Sequence, residues 1–171
     1  KFNEIKKSTI VVAVSGGIDS MCLLLTLNEW SKKNNTKLIA VTVDHRLRAT
    51  STTEAEYVSK VCSDFNIEPH ILTWNEEKTC EILEAKAREK RYELISNFCK
   101  ENNIKYLVTA HHMEDQAETF FIRLFRGSGI EGLSSMQEKT NIFDVTIIRP
   151  FLNLHKNLLK NLLIENSISW I

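Results

Sequence analysis

The chain has 171 residues, of which 43% are hydrophobic and 26% are charged, as in an ordinary globular domain with a substantial core. Its 22 basic and 22 acidic side chains give a formal net charge of zero, so a site for nucleic acid must be a local patch. No apolar stretch approaches the length of a membrane span, and no signal-peptide pattern opens the chain.

Apolar strands alternate with helical segments along the chain. The pattern predicts strands over residues 10–14, 37–43, 70–74, 105–109 and 145–149, and helices over residues 19–32, 52–65, 81–100, 114–126 and 154–164. This alternation predicts an α/β fold, a Rossmann-like, doubly wound, mostly parallel five-stranded sheet with helices on both faces. Ligands of such sheets bind beyond the carboxyl ends of the strands, here residues 15–20, 44–48, 74–79 and 110–115.

A glycine-rich turn joins the first predicted strand to the first helix. Its sequence is Ser15, Gly16, Gly17, Ile18, Asp19, Ser20. Glycines allow a sharp turn and a close approach of the backbone to a ligand, and a helix N-terminus attracts anions. The common nucleotide loop requires a lysine that is missing here, and Asp19 could instead hold Mg²⁺ against a phosphate chain. The alternative is a tight turn without a ligand.

A second group of polar residues follows the fourth predicted strand. His111 and His112 precede three carboxylates, Glu114, Asp115 and Glu118, and helical spacing places several of these groups on one face. Acidic residues favour the first turn of any helix, which is the structural alternative. A metal centre of histidine and carboxylate ligands is the other interpretation.

Two basic segments are weaker signals. Asp44 and His45 end the second strand and precede Arg46 and Arg48, where a nucleotide base and its phosphates could lie. Residues 85–92, which include Arg91, have the composition of an exposed basic helix face with glutamate pairs. Composition alone favours a solvated surface for both.

The four cysteines are Cys22, Cys62, Cys80 and Cys99, and none forms a C-x-x-C pair. We interpret them as reduced, mostly buried thiols in a cytoplasmic protein. The sequence therefore does not favour a zinc or iron–sulfur site.

Together these segments resemble one family. The glycine loop is similar to the pyrophosphate-binding loop of the N-type ATP pyrophosphatases of the adenine-nucleotide α-hydrolase type. The full set of motifs resembles the N-terminal domain of bacterial tRNA(Ile)-lysidine synthetase. They span residues 14–20, 43–48, 87–92, 111–119, 123–133 and 149–152. The segment in which the histidine–acid helix runs into Arg126, Gly127, Ser128 and Gly129 is the most specific of them.

The resemblance implies a ligase that acts in two steps. ATP would adenylate C2 of the wobble cytidine in an isoleucine tRNA with a CAU anticodon, releasing pyrophosphate. Free L-lysine would then displace AMP and give lysidine. It further implies Mg²⁺ as cofactor, no membrane partner and a possible homodimer. We expect residues 1–171 to be the catalytic domain, without the tRNA-binding domains that follow it in the family.

The resemblance also assigns roles to residues. Asp19, Arg91 and Asp115 would be catalytic, with Asp19 and Asp115 holding Mg²⁺. ATP would lie against Ser15, Gly16, Gly17, Ile18, Asp19, Ser20, Asp44 and His45. Lysine and the tRNA would lie against His111, Glu118, Arg126, Gly127, Ser128 and Gly129. Glu114 departs from the aspartate that many members carry there, so its contact with a metal would differ in reach.

Two alternatives remain, a related enzyme and a protein of a different class. A tRNA thiolase of the same superfamily shares the glycine loop, but such enzymes usually need cysteine pairs, which are missing here. A non-catalytic nucleotide-binding module would not need Asp19, Arg91 and Asp115 to converge.

Overall fold

The computed structural model describes residues 3–46, 50–74, 84–129 and 134–171. Within them the strands are β1 (Thr9–Ala13), β2 (Lys37–Asp44), β3 (Glu68–Thr73), β4 (Tyr106–Val108), β5 (Lys139–Ile142) and β6 (Val145–Ile148). The helices are α1 (Ile18–Asn34), α2 (Ser51–Asp64), α3 (Glu84–Glu101), α4 (Met113–Phe125) and α5 (Lys156–Glu165), after one 3₁₀ turn at Asn3–Ile5. Arg48 and Cys80, residues 75–79 after β3, the predicted start of α3 at residues 81–83, and motif residues 130–133 lie outside the described residues.

The strands form one sheet in the order β3-β2-β1-β4-β6-β5, in which only the pair of β5 with β6 is antiparallel. The predicted doubly wound, mostly parallel α/β fold is confirmed. The expected number of five strands was too low, because the edge strand β5 was missed. Its hairpin turns on Phe143 and Asp144, both at positive φ, instead of the Asn and Gly residues that usually mark such a turn.

Helices cover both faces of the sheet. Side chains of β1 alternate, so that Ile10 and Val12 pack in one core beneath α1, α2 and α5, whereas Val11 packs in a second core beneath α3. Both cores are closed by fully buried aliphatic residues such as Leu24 and Ile95. In contrast, α4 has no buried residue. No described helix has both the length and the apolar character needed to cross a membrane.

The strand order positions the site. From β1 the chain continues to β2 on one side, whereas β4 joins β1 on the other, so the direction of winding changes between β1 and β4. A crevice opens beyond the carboxyl ends of two strands at such a point. The segment after β1 is the glycine loop, and the segment after β4 carries His111 and Asp115. The fold therefore brings the two strongest sequence signals together.

Candidate active site

The glycine loop is held by its own hydroxyl groups. Ser20 Oγ accepts a hydrogen bond from the Ser15 backbone N–H at 3.1 Å and donates to the Gly17 carbonyl at 3.0 Å. The N-cap of α1 is Gly17, which has no side chain to bond the first backbone N–H groups of the helix. The helix N-terminus therefore remains available to an anion. Gly16 has φ +86°, a conformation that favours glycine.

The last residue of the chain supports this loop. The Ile171 N–H donates to the Gly16 carbonyl at 2.9 Å. A Cβ placed on Gly16 would lie 2.9 Å from Ile171 Cδ1 and 3.2 Å from Val58 Cγ2. Gly16 is therefore required by both its backbone angle and the neighbours that close over it.

Asp19 begins the first turn of α1 and faces positive and polar groups from two other helices. Its Oδ2 lies 3.4 Å from Nε2 of His112 and 3.5 Å from Nζ of Lys156. Its Oδ1 is buried and has no hydrogen-bond partner among the described residues. A buried carboxylate oxygen without a partner is costly unless a cation or a donor satisfies it, so this atom is suited to a metal ion.

The start of α4 places a second carboxylate beside Asp19. The Asp115 side chain caps α4 by accepting the backbone N–H of His112 at 2.8 Å. The His112 ring is almost fully buried, with Nε2 3.6 Å from Asp115 Oδ2 and Nδ1 3.1 Å from Glu114 Oε2. His112 therefore lies between the carboxylates of the glycine loop and those of α4.

His111 points to the other side of this turn and is neutral at pH 7. Burial, together with the nearby Arg88 and Arg149 guanidinium groups, lowers the pKa of His111 to about 4. Arg88 can only donate, so Nε2 accepts from Arg88 Nη2 at 3.3 Å and the Nδ1–H donates to Thr109 Oγ1 at 3.0 Å. A ring in this state is a weak base and is fixed in orientation.

These segments enclose a cavity of about 420 Å³, a volume suited to a small-molecule ligand. Eight of the predicted site residues line it: Ser15, Gly17, Asp19, Ser20, His45, Arg91, His111 and Asp115. Unpredicted lining residues include Ser51 and Glu54 of α2 and Tyr92 and Ile95 of α3. The cavity thus spans the loop, the ends of β1, β2 and β4, and helices from both faces of the sheet.

Arg91 is the notable charge of this cavity. Burial lowers the pKa of its guanidinium group, which nevertheless stays protonated, as arginine does in proteins. No carboxylate of the described residues forms an ion pair with Arg91; its recorded contact is with the ring of Tyr92, 5.9 Å from the guanidinium carbon. A partly buried cation without a counter-charge favours an anionic ligand.

Asp44 was expected to contact ATP, but it does not line the cavity. Its Oδ1 accepts the Arg46 N–H and its Oδ2 accepts the Thr52 hydroxyl, each at 2.9 Å. Burial opposes ionisation, but these bonds and one from Ser51 outweigh it and lower the pKa of Asp44. The carboxylate is thus occupied in ordering the loop after β2, and His45 rather than Asp44 lines the cavity.

The remaining predicted residues lie outside the cavity. Gly16 and Ile18 belong to the loop but do not line the cavity. Glu118 is exposed on α4, which extends about 18 Å from its start to its end. Arg126, Gly127, Ser128 and Gly129 follow that far end, where Gly127 and Ser128 only close the helix through their backbone N–H groups. The structure does not bring this group to the glycine loop.

No three His, Cys, Asp or Glu side chains in the described part of the chain are arranged so that they could hold a metal ion by themselves. Mg²⁺ does not need such an arrangement, since it is usually held by one or two carboxylates together with substrate phosphates. The orphaned Oδ1 of Asp19, with Asp115 nearby, fits that requirement.

Comparison with known proteins places this site in a family. The sequence profile of the PP-loop domain, an ATP-binding family, matches residues 1–171. The chain belongs to the PP-loop family. Its glycine loop is therefore the PP-loop, and the predicted use of ATP is supported by the family.

The PP-loop chain is also similar to curated bacterial proteins. It is 42% identical over 165 residues to the tRNA(Ile)-lysidine synthase of Orientia tsutsugamushi, covering 95% of this chain and 36% of that protein. The same enzyme of Wolbachia pipientis is 43% identical over 164 residues, covering 95% of this chain and 38% of that protein. The chain thus spans little more than a third of the length of these relatives.

Among solved structures, the U34-tRNA thiolase NcsA of Methanococcus maripaludis, which carries a 4Fe-4S cluster, has the same fold. The TM-score is 0.82 at 19% identity, covering 98% of this chain and 60% of that chain. At this identity the likeness concerns the PP-loop fold alone.

Sequence reasoning missed three groups around the PP-loop: His112 as a bridge, Arg88 as the partner of His111, and Lys156 beside Asp19. His112 and Arg88 belong to segments that the sequence had singled out. Lys156 had no signal, because its proximity to Asp19 results from the docking of α5 on α1.

Proposed function

We propose that this chain is the catalytic PP-loop domain of a tRNA(Ile)-lysidine synthetase, using ATP and L-lysine on the CAU-anticodon isoleucine tRNA. The observation that carries the proposal is the convergence of Arg91, the uncapped N-terminus of α1 and the Asp19–Asp115 pair in one cavity. The curated relatives that bear this name support the choice of reaction.

In the first step, the backbone N–H groups at the start of α1 bind the β- and γ-phosphates of ATP. Arg91 places a positive charge where the α-phosphate becomes more negative as the cytidine C2 oxygen attacks and pyrophosphate leaves. Mg²⁺, held by Asp19 and Asp115 when bound, would supply further neutralisation of the phosphate chain.

In the second step, the ε-amine of lysine attacks C2 of the adenylated cytidine and AMP leaves with the C–O bond electrons. An ammonium group must first lose a proton, and the Asp115 carboxylate at the cavity wall is a suitable acceptor. His111 is less suited, since both of its ring nitrogens are hydrogen-bonded, to Arg88 and Thr109, whereas Asp115 uses only Oδ2 to cap α4. Glu118 and residues 126–129 remain predicted contacts for lysine and the tRNA.

A thiolase reaction is not favoured by the three cysteines that the structure describes. Cys22, Cys62 and Cys99 are buried in the two cores and do not line the cavity. Burial raises the pKa of these thiols to about 11, 11 and 12, so they are poor nucleophiles at neutral pH.

The test uses the complete protein with ATP, labelled lysine and transcripts of the CAU-anticodon isoleucine and methionine tRNAs. We expect lysine to enter the isoleucine tRNA only, with one AMP and one pyrophosphate released for each lysine. Pyrophosphate release without lysine transfer would contradict the proposal and favour another adenylating enzyme.

Two further predictions have their own tests. Light scattering of the same protein tests the predicted homodimer, and cell fractionation tests its predicted cytoplasmic location.

A further inference from the structure

Lys156 brings a cation to the PP-loop from a part of the chain that the motifs do not include. It is the first residue of α5, and its Nζ lies 3.5 Å from Asp19 Oδ2. The side chain is about half exposed (48%) and does not itself line the cavity, but its partner Asp19 does, so the ammonium group lies at the edge of the cavity. The PP-loop itself has no lysine.

The backbone fixes the base of this side chain. The Lys156 N–H faces both carboxylate oxygens of Glu114 at 3.1 Å, so a residue of the first turn of α4 caps the start of α5. The Met113 N–H donates to the Leu154 carbonyl at 3.0 Å and ties the same two helix starts together. The bonds to Glu114 use the main-chain N–H of Lys156, and the second bond does not involve Lys156, so neither depends on the Lys156 side chain.

The Lys156 ammonium group interacts only weakly with the Asp19 carboxylate. A separation of 3.5 Å is long for a charge-assisted hydrogen bond, and Oδ2 of Asp19 also faces His112. A phosphate chain at the α1 N-terminus would carry more negative charge than one carboxylate. The flexible stem of lysine allows its charge to follow such a ligand, as a point charge without fixed direction.

We propose that Lys156 binds the β- and γ-phosphates of ATP and, after adenylation, the departing pyrophosphate. This inference rests on the proposed function, since it assigns a residue to the same site. Lys156 would then supply, from α5, the positive charge that other nucleotide loops obtain from a lysine within the loop.

The experiment compares K156M, K156R and the control K160M in the complete protein. Lys160 lies one turn further along α5, is exposed and has the same charge. Calorimetry measures the binding of inorganic pyrophosphate, ATP and AMP to each variant. AMP lacks the β- and γ-phosphates and therefore reports on the rest of the site.

For K156M we expect binding of pyrophosphate and ATP to weaken about tenfold, the effect of losing one charge-assisted hydrogen bond at a half-exposed site. AMP binding should be unchanged, K156R should keep most of the affinity, and K160M should match the wild type. Unchanged pyrophosphate binding in K156M would overturn the proposal. So would an equal loss for AMP and pyrophosphate, which would indicate a structural role, or a wild type that does not bind pyrophosphate.

The outcome is independent of the ligase reaction. A wild-type protein that binds pyrophosphate but transfers no lysine would contradict the proposed function, whereas the comparison of K156M with K160M would still decide the role of Lys156. If K156M does not fold, K156R and the salt dependence of pyrophosphate binding in the wild type provide the test.

Discussion

The two ends of α4 differ although both belong to the most specific stretch of the sequence. At its start, Asp115 caps the helix and His112 is buried between carboxylates. At its far end, Phe121 is 52% and Phe125 is 85% exposed, and the rings stack on each other with centroids 6.5 Å apart. One end is organised by the fold, and the other is presented to solvent within the part of the chain that the structure describes.

The difference shows which chemistry a single PP-loop domain can arrange by itself. Phosphate binding needs backbone N–H groups and a few charges, and the fold provides these at the carboxyl ends of β1 and β4, where the direction of winding changes. Contact with the tRNA of the proposed reaction would need a surface, and Arg126 is exposed at the far end of α4. The first two of the following predictions pair one residue from each region.

The largest effect is expected from R91A compared with R126A. Loss of Arg91 removes a positive charge from the cavity, so pyrophosphate release should fall about 100-fold or more, as when a transition-state donor is lost. Because Arg126 lies outside the cavity, R126A should bind ATP as the wild type does, measured by calorimetry. Equal losses of ATP binding in the two variants would refute the separation of the two regions.

The second pair is G16A and G127A, since both glycines have positive φ, at +86° and +72°. Each substitution should lower the free energy of unfolding by about 1–2 kcal/mol, measured by urea denaturation. Only G16A should also weaken ATP binding, because its Cβ meets Ile171 whereas the space around Gly127 is open. Weaker ATP binding in G127A would instead couple the far end of α4 to the PP-loop.

The third effect, similar in size to that of the glycine substitutions, concerns the pH dependence of stability. His111 has a pKa of about 4 in the folded protein, against about 6.5 in an unfolded chain. Between these values the unfolded state binds a proton that the folded state does not, so stability present above pH 6.5 is lost as the pH falls toward 4. The loss approaches about 1.4 kcal/mol per pH unit at its steepest.

Urea denaturation of the wild type and H111Q at pH 7 and pH 5 measures this contribution. The carboxylates are the same in both proteins, so the difference between their slopes isolates His111. We expect a shallower decrease for H111Q, and parallel curves would show that His111 is not held neutral in the folded state.

Local signals predicted most of the fold. The glycine loop and the strands beside it were recognised, because the backbone geometry at Gly16 and the apolar run of β1 depend on residues that are close in sequence. The edge strand β5 was missed, because the strand has only four residues and its turn at Phe143 and Asp144 lacks the residues that usually mark a turn. The far end of α4 was correctly predicted as a helix end, but its separation from the cavity follows only from the length and direction of the helix.

The sequence by itself determined that a PP-loop lies between a strand and a helix, and that a histidine–acid turn follows a later strand. Only the tertiary structure decided that the Asp44 carboxylate accepts hydrogen bonds from Thr52 and Arg46, and that Lys156 reaches Asp19. It also decided that Arg91 lines the cavity with no carboxylate of the described residues in an ion pair with it. The physical reason is the range of the interactions. Loop and cap conformations depend on residues a few positions apart, whereas the charge environment of a cavity depends on side chains that meet only when distant helices pack on one sheet.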